Sequence, residues 1–378
     1  MREGMIMQLV DDIAVDDLVR GATFLGTGGG GSPAQGRMLL RSELASGHTC
    51  GWVDKERIGD DAWTVCATFM GNRAPLTPEE ERKKEELGLS EPPFANNLVG
   101  AVHQLENYLG ISAEAIVASE LGGSNTPGAL ATGACLGIPV VDGDYAGRAL
   151  PEIAQMTPCL LGENILPVAA VDRWGNTAII KEATSYQLTE RMGKMLAMAS
   201  FGNTGLAFAL RGSVMKSAII SGSLTRCYTI GRGIREAGEQ SERAVEAITD
   251  LCNGWLLYEG EVVRKEWKVL DGCYTGTHSV KGTGDFAGSL LRIWFKNENH
   301  LTWLDNKPYV ASPDLVSQID LQSYEPVPNH ELREGQMIAV IGIRAHELYR
   351  SPKGISLTGP RHYDSDFNYV PIEDRLRS

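Results

Sequence analysis

Apolar residues recur at helical spacing over residues 15–25, where Leu18, Ala22 and Leu25 share a face, and again over 33–45 and 96–109, where Leu98, Val102, Leu105 and Leu109 align. Short unbroken apolar runs predict strands at 5–10, 63–69, 115–119 and 138–141 instead. Between the last two lie a glycine-containing loop, 120–125, and a helix over 127–136 that opens on Pro127 and stops at Gly137. Strand, helix, strand demands a crossover, so these two strands run parallel. Ligands of such sheets gather beyond the carboxyl ends of the strands. Glu120 and Asp142 each sit just past a strand end, and Met70-Gly71-Asn72 follows another. After about residue 170 the pattern changes: helices are predicted near 187–200 and 241–257. Alternating segments follow at 262–270, 290–304 and 336–344, with turns rich in Asn, Gly and Pro. The fold class this predicts is α/β. Residues 1–170 would form a three-layer α/β domain with a partly parallel sheet, and 171–378 a β-rich, barrel-like domain with helices.

Two predicted helices are joined by Gly26-Thr27-Gly28-Gly29-Gly30-Gly31-Ser32-Pro33. Glycine runs mark left-handed backbone or a close approach. The letters match the dinucleotide fingerprint Gly-x-Gly-x-x-Gly, but that motif needs a strand before it, and here a helix precedes. No Gly-Lys-Ser/Thr follows, which removes the P-loop, so no nucleotide cofactor is expected. Ser32, Pro33 and Gln35 spell a capping box at the start of the next helix. The loop reads either as a cradle of amides for an anion or a developing oxyanion, Gly28, Gly29, Gly30 and Gly31 being its candidate donors, or as a structural turn. The 71–95 stretch is a long polar excursion of the kind that serves as a lid or binding loop.

A net charge of -13 argues against a general nucleic-acid binder. No run reaches the roughly 18 apolar residues of a membrane span, and the N-terminus lacks a signal-peptide core. Seven scattered cysteines without a Cys-x-x-Cys pair read as reduced usage, so the expected location is the cytoplasm.

For chemistry, Asp142-Gly143-Asp144 is the densest candidate: two carboxylates at spacing two can share a metal or a proton, or be ordinary turn residues. Glu120 could serve as base and Asn125 as a donor to a carbonyl or a helix cap. Arg148 and Glu152 follow the aspartates. His278 and Lys281 are expected in a polar glycine loop that could hold an anionic group. A divalent metal such as zinc stays open, with no ligand set to name. No His-Glu-x-x-His or Gly-x-Ser-x-Gly motif occurs.

Taken together, the glycine loop 26–31, Met70-Gly71, Asp142-Gly143-Asp144 through Arg148, Pro151, Glu152 and Met156, Lys296-Asn297-Glu298, Ser312-Pro313-Asp314-Leu315, Gly335-Gln336, Gly359-Pro360 and Tyr369-Val370-Pro371 resemble the S-methyl thiohydantoin desulfurase family. The resemblance spans nearly the whole chain. It implies an N-terminal α/β unit, a C-terminal β-rich unit, and hydrolysis at C2 of a thiohydantoin-like or hydantoin-like ring with release of sulfide or a thiol. In that reading Asp142 or Asp144 activates water, the loop amides or Arg148 hold developing charge, and Glu120 and Asn125 hold the ring. Such proteins are often encoded beside hydantoinase/oxoprolinase-like proteins, so a non-catalytic accessory subunit of such an enzyme is the alternative. The expected partners are a small-molecule substrate, a hydantoinase/oxoprolinase-like protein, and further copies of the chain as a homo-oligomer.

Overall fold

Burial alternates along the central strands, and that alternation builds two cores. In the strand Trp63–Gly71, Val65 and Ala67 join one cluster while Cys66 and Met70 join another; Ile116 and Val117 divide in the same way one strand over. A sheet apolar on both faces must be covered on both. The computed structural model describes residues 5–71, 74–89, 96–240 and 243–377. Residues 72–73 and 90–95 of the expected excursion lie outside them.

The first sheet has nine strands: β1 (Met5–Leu9), β2 (Cys50–Val53), β3 (Trp63–Gly71), β4 (Ala115–Ala118), β5 (Val140–Asp144), β6 (Val168–Asp172), β7 (Thr177–Ile180), β8 (Asn203–Arg211) and the short β9 (Ile220–Ser221). Their order is β1-β2-β5-β4-β3-β8-β6-β7, with β9 against β5. β2, β5, β4 and β3 are mutually parallel, and β8, β6 and β7 add antiparallel strands. Helices α1 (Asp12–Leu25), α2 (Pro33–Ala45), α4 (Asn97–Leu109), α5 (Asn125–Leu136) and α9 (Ser223–Gln240) feed the core on one face. α6 (Thr157–Leu161), α7 (Tyr186–Ala199) and α8 (Gly212–Ala218) cover the other, and α3 (Pro78–Glu86) is solvated. The mixed, three-layer α/β reading therefore holds.

The second sheet is antiparallel throughout: β10 (Trp255–Leu270), β11 (Cys273–Gly282), β12 (Leu290–Lys296), β13 (Glu298–Leu304), β14 (Lys307–Ala311), β15 (Leu315–Asp320) and β16 (Met337–Ile343), ordered β14-β13-β12-β11-β10-β16-β15. It curls into a half-barrel. Among the described residues no helix is long and apolar enough to cross a membrane.

Two local expectations need correction. The helix placed at 241–257 is α10 (Ala244–Leu251), and Trp255 already begins β10. The 18-residue α9 before it was not expected, because Gly231, Gly233 and Gly238 depress its helix propensity. Those glycines serve packing: a Cβ at Gly231 would overlap the Asp17 carbonyl, and one at Gly21 the Cys227 carbonyl, so α1 and α9 cross backbone to backbone. Ser32 starts α2 but makes no side-chain capping bond.

Candidate active site

The carboxyl ends of β3 and β4 open onto a cavity of about 110 Å³, the scale of one small ring. Its floor is Thr68–Gly71 from β3 and Ser119-Glu120 beyond β4; the glycine loop 28–31 forms one wall and Leu150–Ile153 another. α7 contributes Glu190 and Lys194, and the half-barrel closes the cavity with Tyr274, Asn297 and Glu298.

The loop's shape follows from its residues. Thr27, Gly28, Gly30 and Gly31 all have positive φ, and a Cβ at Gly30 would strike Gly122. Among the described residues the N–H groups of Gly28, Gly30 and Gly31 have no acceptor, whereas Gly29 N–H donates to the Gly26 carbonyl at 2.9 Å. Successive amides in this conformation form an anion-binding concavity. The half-barrel supports it from behind: Asn329 N–H donates to the Gly28 carbonyl at 2.8 Å, and Asn299 N–H to the Thr27 carbonyl at 2.8 Å.

Two carboxyl groups meet at this loop. Glu120 accepts from the Leu150 amide at 2.8 Å and from the Asn125 side chain, whose oxygen in turn accepts from Phe69 N–H at 3.1 Å. Burial pushes the Glu120 carboxyl up to about 7 against those hydrogen bonds, and Asp144 and Glu190 push it the same way. Glu298 is 2 % exposed, and its Oε2 has no hydrogen-bond partner among the described residues. Burial, then the nearby Glu120, raise it well above the usual carboxylate range, with Arg148 pulling the other way. A Cβ at Gly29 would overlap Glu298 Oε1, so the glycine there is what admits the carboxyl. Gly29→Ala is therefore expected to cost about 1–3 kcal/mol by overpacking. Adding Glu298→Ala should restore most of that stability without restoring turnover, a coupling read by denaturant unfolding of the single and double variants.

The remaining charges are paired. Lys194 Nζ lies 2.7 Å from Glu190 Oε1 and donates to the Pro151 carbonyl at 2.8 Å and to Cys273 Sγ at 2.9 Å. Burial lowers the Lys194 ammonium, but Glu190 and Cys273 more than reverse this. Glu152 holds Lys296 at 2.6 Å and His362 at 3.1 Å; burial opposes its ionisation, yet those two partners bring it down to about 2.

Of the residues expected from sequence, the cavity gathers Gly28, Gly29, Gly30, Gly31, Glu120, Asn125 and Glu152. Asp142, Asp144, Arg148, His278 and Lys281 do not line it. Asp142 caps α9: Oδ1 accepts from Leu224 and Thr225 amides and Oδ2 from the Thr225 hydroxyl at 2.6 Å. Asp144 Oδ2 binds the Ala146 and Gly147 amides, closing its own turn. Burial lifts Asp144 from its ordinary 3.8 to about 7. The stability it lends is thus full below 3.8 and drains as pH rises to about 7. Asp144→Asn should flatten that part of the stability–pH curve in thermal melts while turnover persists; lost turnover in a folded variant would contradict this assignment.

Arg148, 2 % exposed, ties the two halves together: its guanidinium donates to Thr27 Oγ1 and the Asn299 carbonyl on one side, and to Ser312 Oγ and the Pro313 carbonyl on the other. The loop expected around His278 and Lys281 is instead strand β11, where His278 is buried 3.0 Å from Asn329 Oδ1 with its pKa lowered to about 3 by burial. Lys281 sits exposed near the far end of that strand. Among the described residues, no three His, Cys, Asp or Glu side chains converge on a metal-holding geometry.

Sequence reasoning did not single out Glu190, Lys194 or Cys273, and Glu298 only within a motif. A signal for Glu298 existed: Glu298, Asn299 and His300 follow one another at the start of β13 and all are buried, an unusual polar run for a strand.

Residues 13–182 match the family model described as S-Me-THD-like, N-terminal domain, and residues 183–372 match S-Me-THD-like, C-terminal domain. The chain belongs to the S-Me-THD-like family. It is also similar to a crystal structure of a protein from Chromobacterium violaceum, at 21% identity over 97% of this chain and 100% of that one, with a TM-score of 0.76. That likeness shows the shared fold. No curated protein matches the chain. Within this S-Me-THD-like chain the cavity draws on both matched regions, the glycine loop and Glu120 from the first, Lys194 and Glu298 from the second.

Proposed function

We propose that the chain is a hydrolase that replaces sulfur by oxygen at C2 of a thiohydantoin-like or hydantoin-like ring, releasing sulfide or a thiol. Family membership supports the substrate class, and the observation that carries the chemistry is the pair Glu120 and Glu298 facing one small cavity beside unpaired loop amides. A carboxyl near 7 is matched to general-base work at neutral pH, and one held protonated by burial is matched to acid work.

With an S-methyl thiohydantoin, Glu120 takes a proton from water as its oxygen bonds to C2. The C2=N3 electron pair moves onto N3 and the adjoining C4 carbonyl oxygen, and the Gly28, Gly30 and Gly31 amides receive that charge. The C2–S bond then breaks as Glu298 hands its proton to sulfur and recovers one from the C2 hydroxyl, leaving C2=O. Glu120 passes its proton to N3, so both protons of water are accounted for, one on the thiol and one on the ring. Incubating the purified chain with a panel of thiohydantoins, S-methyl thiohydantoins and hydantoins, with and without a chelator, should release free thiol or sulfide from the sulfur-bearing rings. Absence of release across the panel would refute the reading.

A further inference from the structure

With Glu120 and Glu298 both ionised, the cavity's charges do not balance. Lys194 is matched by Glu190, and Lys296 with His362 by Glu152, leaving Glu120, Glu298 and the buried guanidinium of Arg148 behind the loop. Two carboxylates against one arginine fall a single positive charge short. In a buried site that shortfall must be made up, by a proton or by a cation. Among the described residues the polar groups near the pair add no free cation: Asp144 and Glu190 lie on the Glu120 side, the neutral ring of His300 stands 3.9 Å from Glu298 Oε2, and His330, which also lines the cavity, sits 3.4 Å from Glu331 Oε1. Glu298 Oε2 also has no hydrogen-bond partner among the described residues although the residue is 2 % exposed and lines the cavity.

The walls decide what kind of cation fits. Phe69, Met70, Leu150, Ile153 and Met156 supply carbon faces, which suit a flat organic ring and not a hydrated metal ion. We propose that Glu120 and Glu298 together form a binding site for a protonated cyclic amidine or guanidine, a planar N–C–N cation whose N–H groups reach both carboxylates while the ring lies between the apolar walls. This rests on the proposed reaction site and names the ligand charge that its two carboxyl groups select once the proton they hold is displaced. Rings that carry a carboxylate would be disfavoured.

The test uses the whole chain and two ligands of nearly one shape, 2-aminoimidazoline, a cyclic guanidine that stays protonated, and 2-imidazolidinone, its neutral urea counterpart. Titration calorimetry at pH 8 should show the cation binding about tenfold tighter or better, the worth of a charge-assisted contact. The advantage should shrink toward pH 6, where the cation must displace the proton that Glu120 holds. Buffers of different ionisation enthalpy should reveal proton release on binding near pH 6.5. Glu298→Gln or Glu120→Gln should erase most of the preference, and should either variant fail to fold, the pH trend and proton release of the unaltered chain decide the matter. Equal binding of the two ligands at pH 8, or a preference that survives in folded forms of both variants, overturns the inference. Thiol release from thiohydantoins with no cation preference would sink this inference alone, whereas cation binding without thiol release would sink the proposed reaction alone.

Discussion

Glu120→Gln is expected to lower kcat by about 10²–10⁴-fold, the usual contribution of a positioned base, while the melting temperature moves little. The amide is nearly isosteric and can still accept from the Leu150 N–H that the carboxylate binds at 2.8 Å. A pH profile separates this from a packing effect. With its pKa raised to about 7 by burial, Glu120 is an effective base only above that value, so kcat/KM of the unaltered chain should climb as pH rises through about 7. At higher pH the rate should fall once Glu298 gives up its proton. The climb near 7 should vanish in Glu120→Gln. A variant with undiminished turnover and an unchanged profile would remove Glu120 from the mechanism.

Arg148→Met should produce the largest loss of stability, about 3–5 kcal/mol, comparable to breaking a buried charged contact from one side. Methionine fills part of the volume but leaves Thr27, Ser312 and the carbonyls of Pro313 and Asn299 without their donor, all inside the protein. Each buried group stranded in this way costs about 1–3 kcal/mol before relaxation. Denaturant unfolding monitored by tryptophan fluorescence reads the change. A loss below about 1 kcal/mol would show that the guanidinium is not the tie between halves that its contacts describe.

The parallel unit β4–α5–β5 and the loop between α1 and α2 were legible because their signals are local. Apolar runs, Pro127, Gly137 and a row of glycines each act within a few residues, and they placed Glu120 just past the end of β4. Strand-end position says where the Asp142 and Asp144 side chains begin, not what consumes them. The consumer of Asp142 is the first turn of α9, 82 and 83 residues further on. Glu298 and Lys194 were hidden for the converse reason: each enters the cavity from an element whose place beside β4 is set by long-range packing. The glycines of α9 concealed that helix, since a propensity scale counts their entropy and cannot see the close crossing with α1.

The meshing of Gly29 with Glu298 has an evolutionary corollary. A side chain from one gene segment occupies room vacated by the missing side chain of another, so neither partner can drift alone. Chimaeras that join the front portion of one relative to the rear portion of a distant one should work only when the loop and its opposing acid are inherited as a matched lock and key.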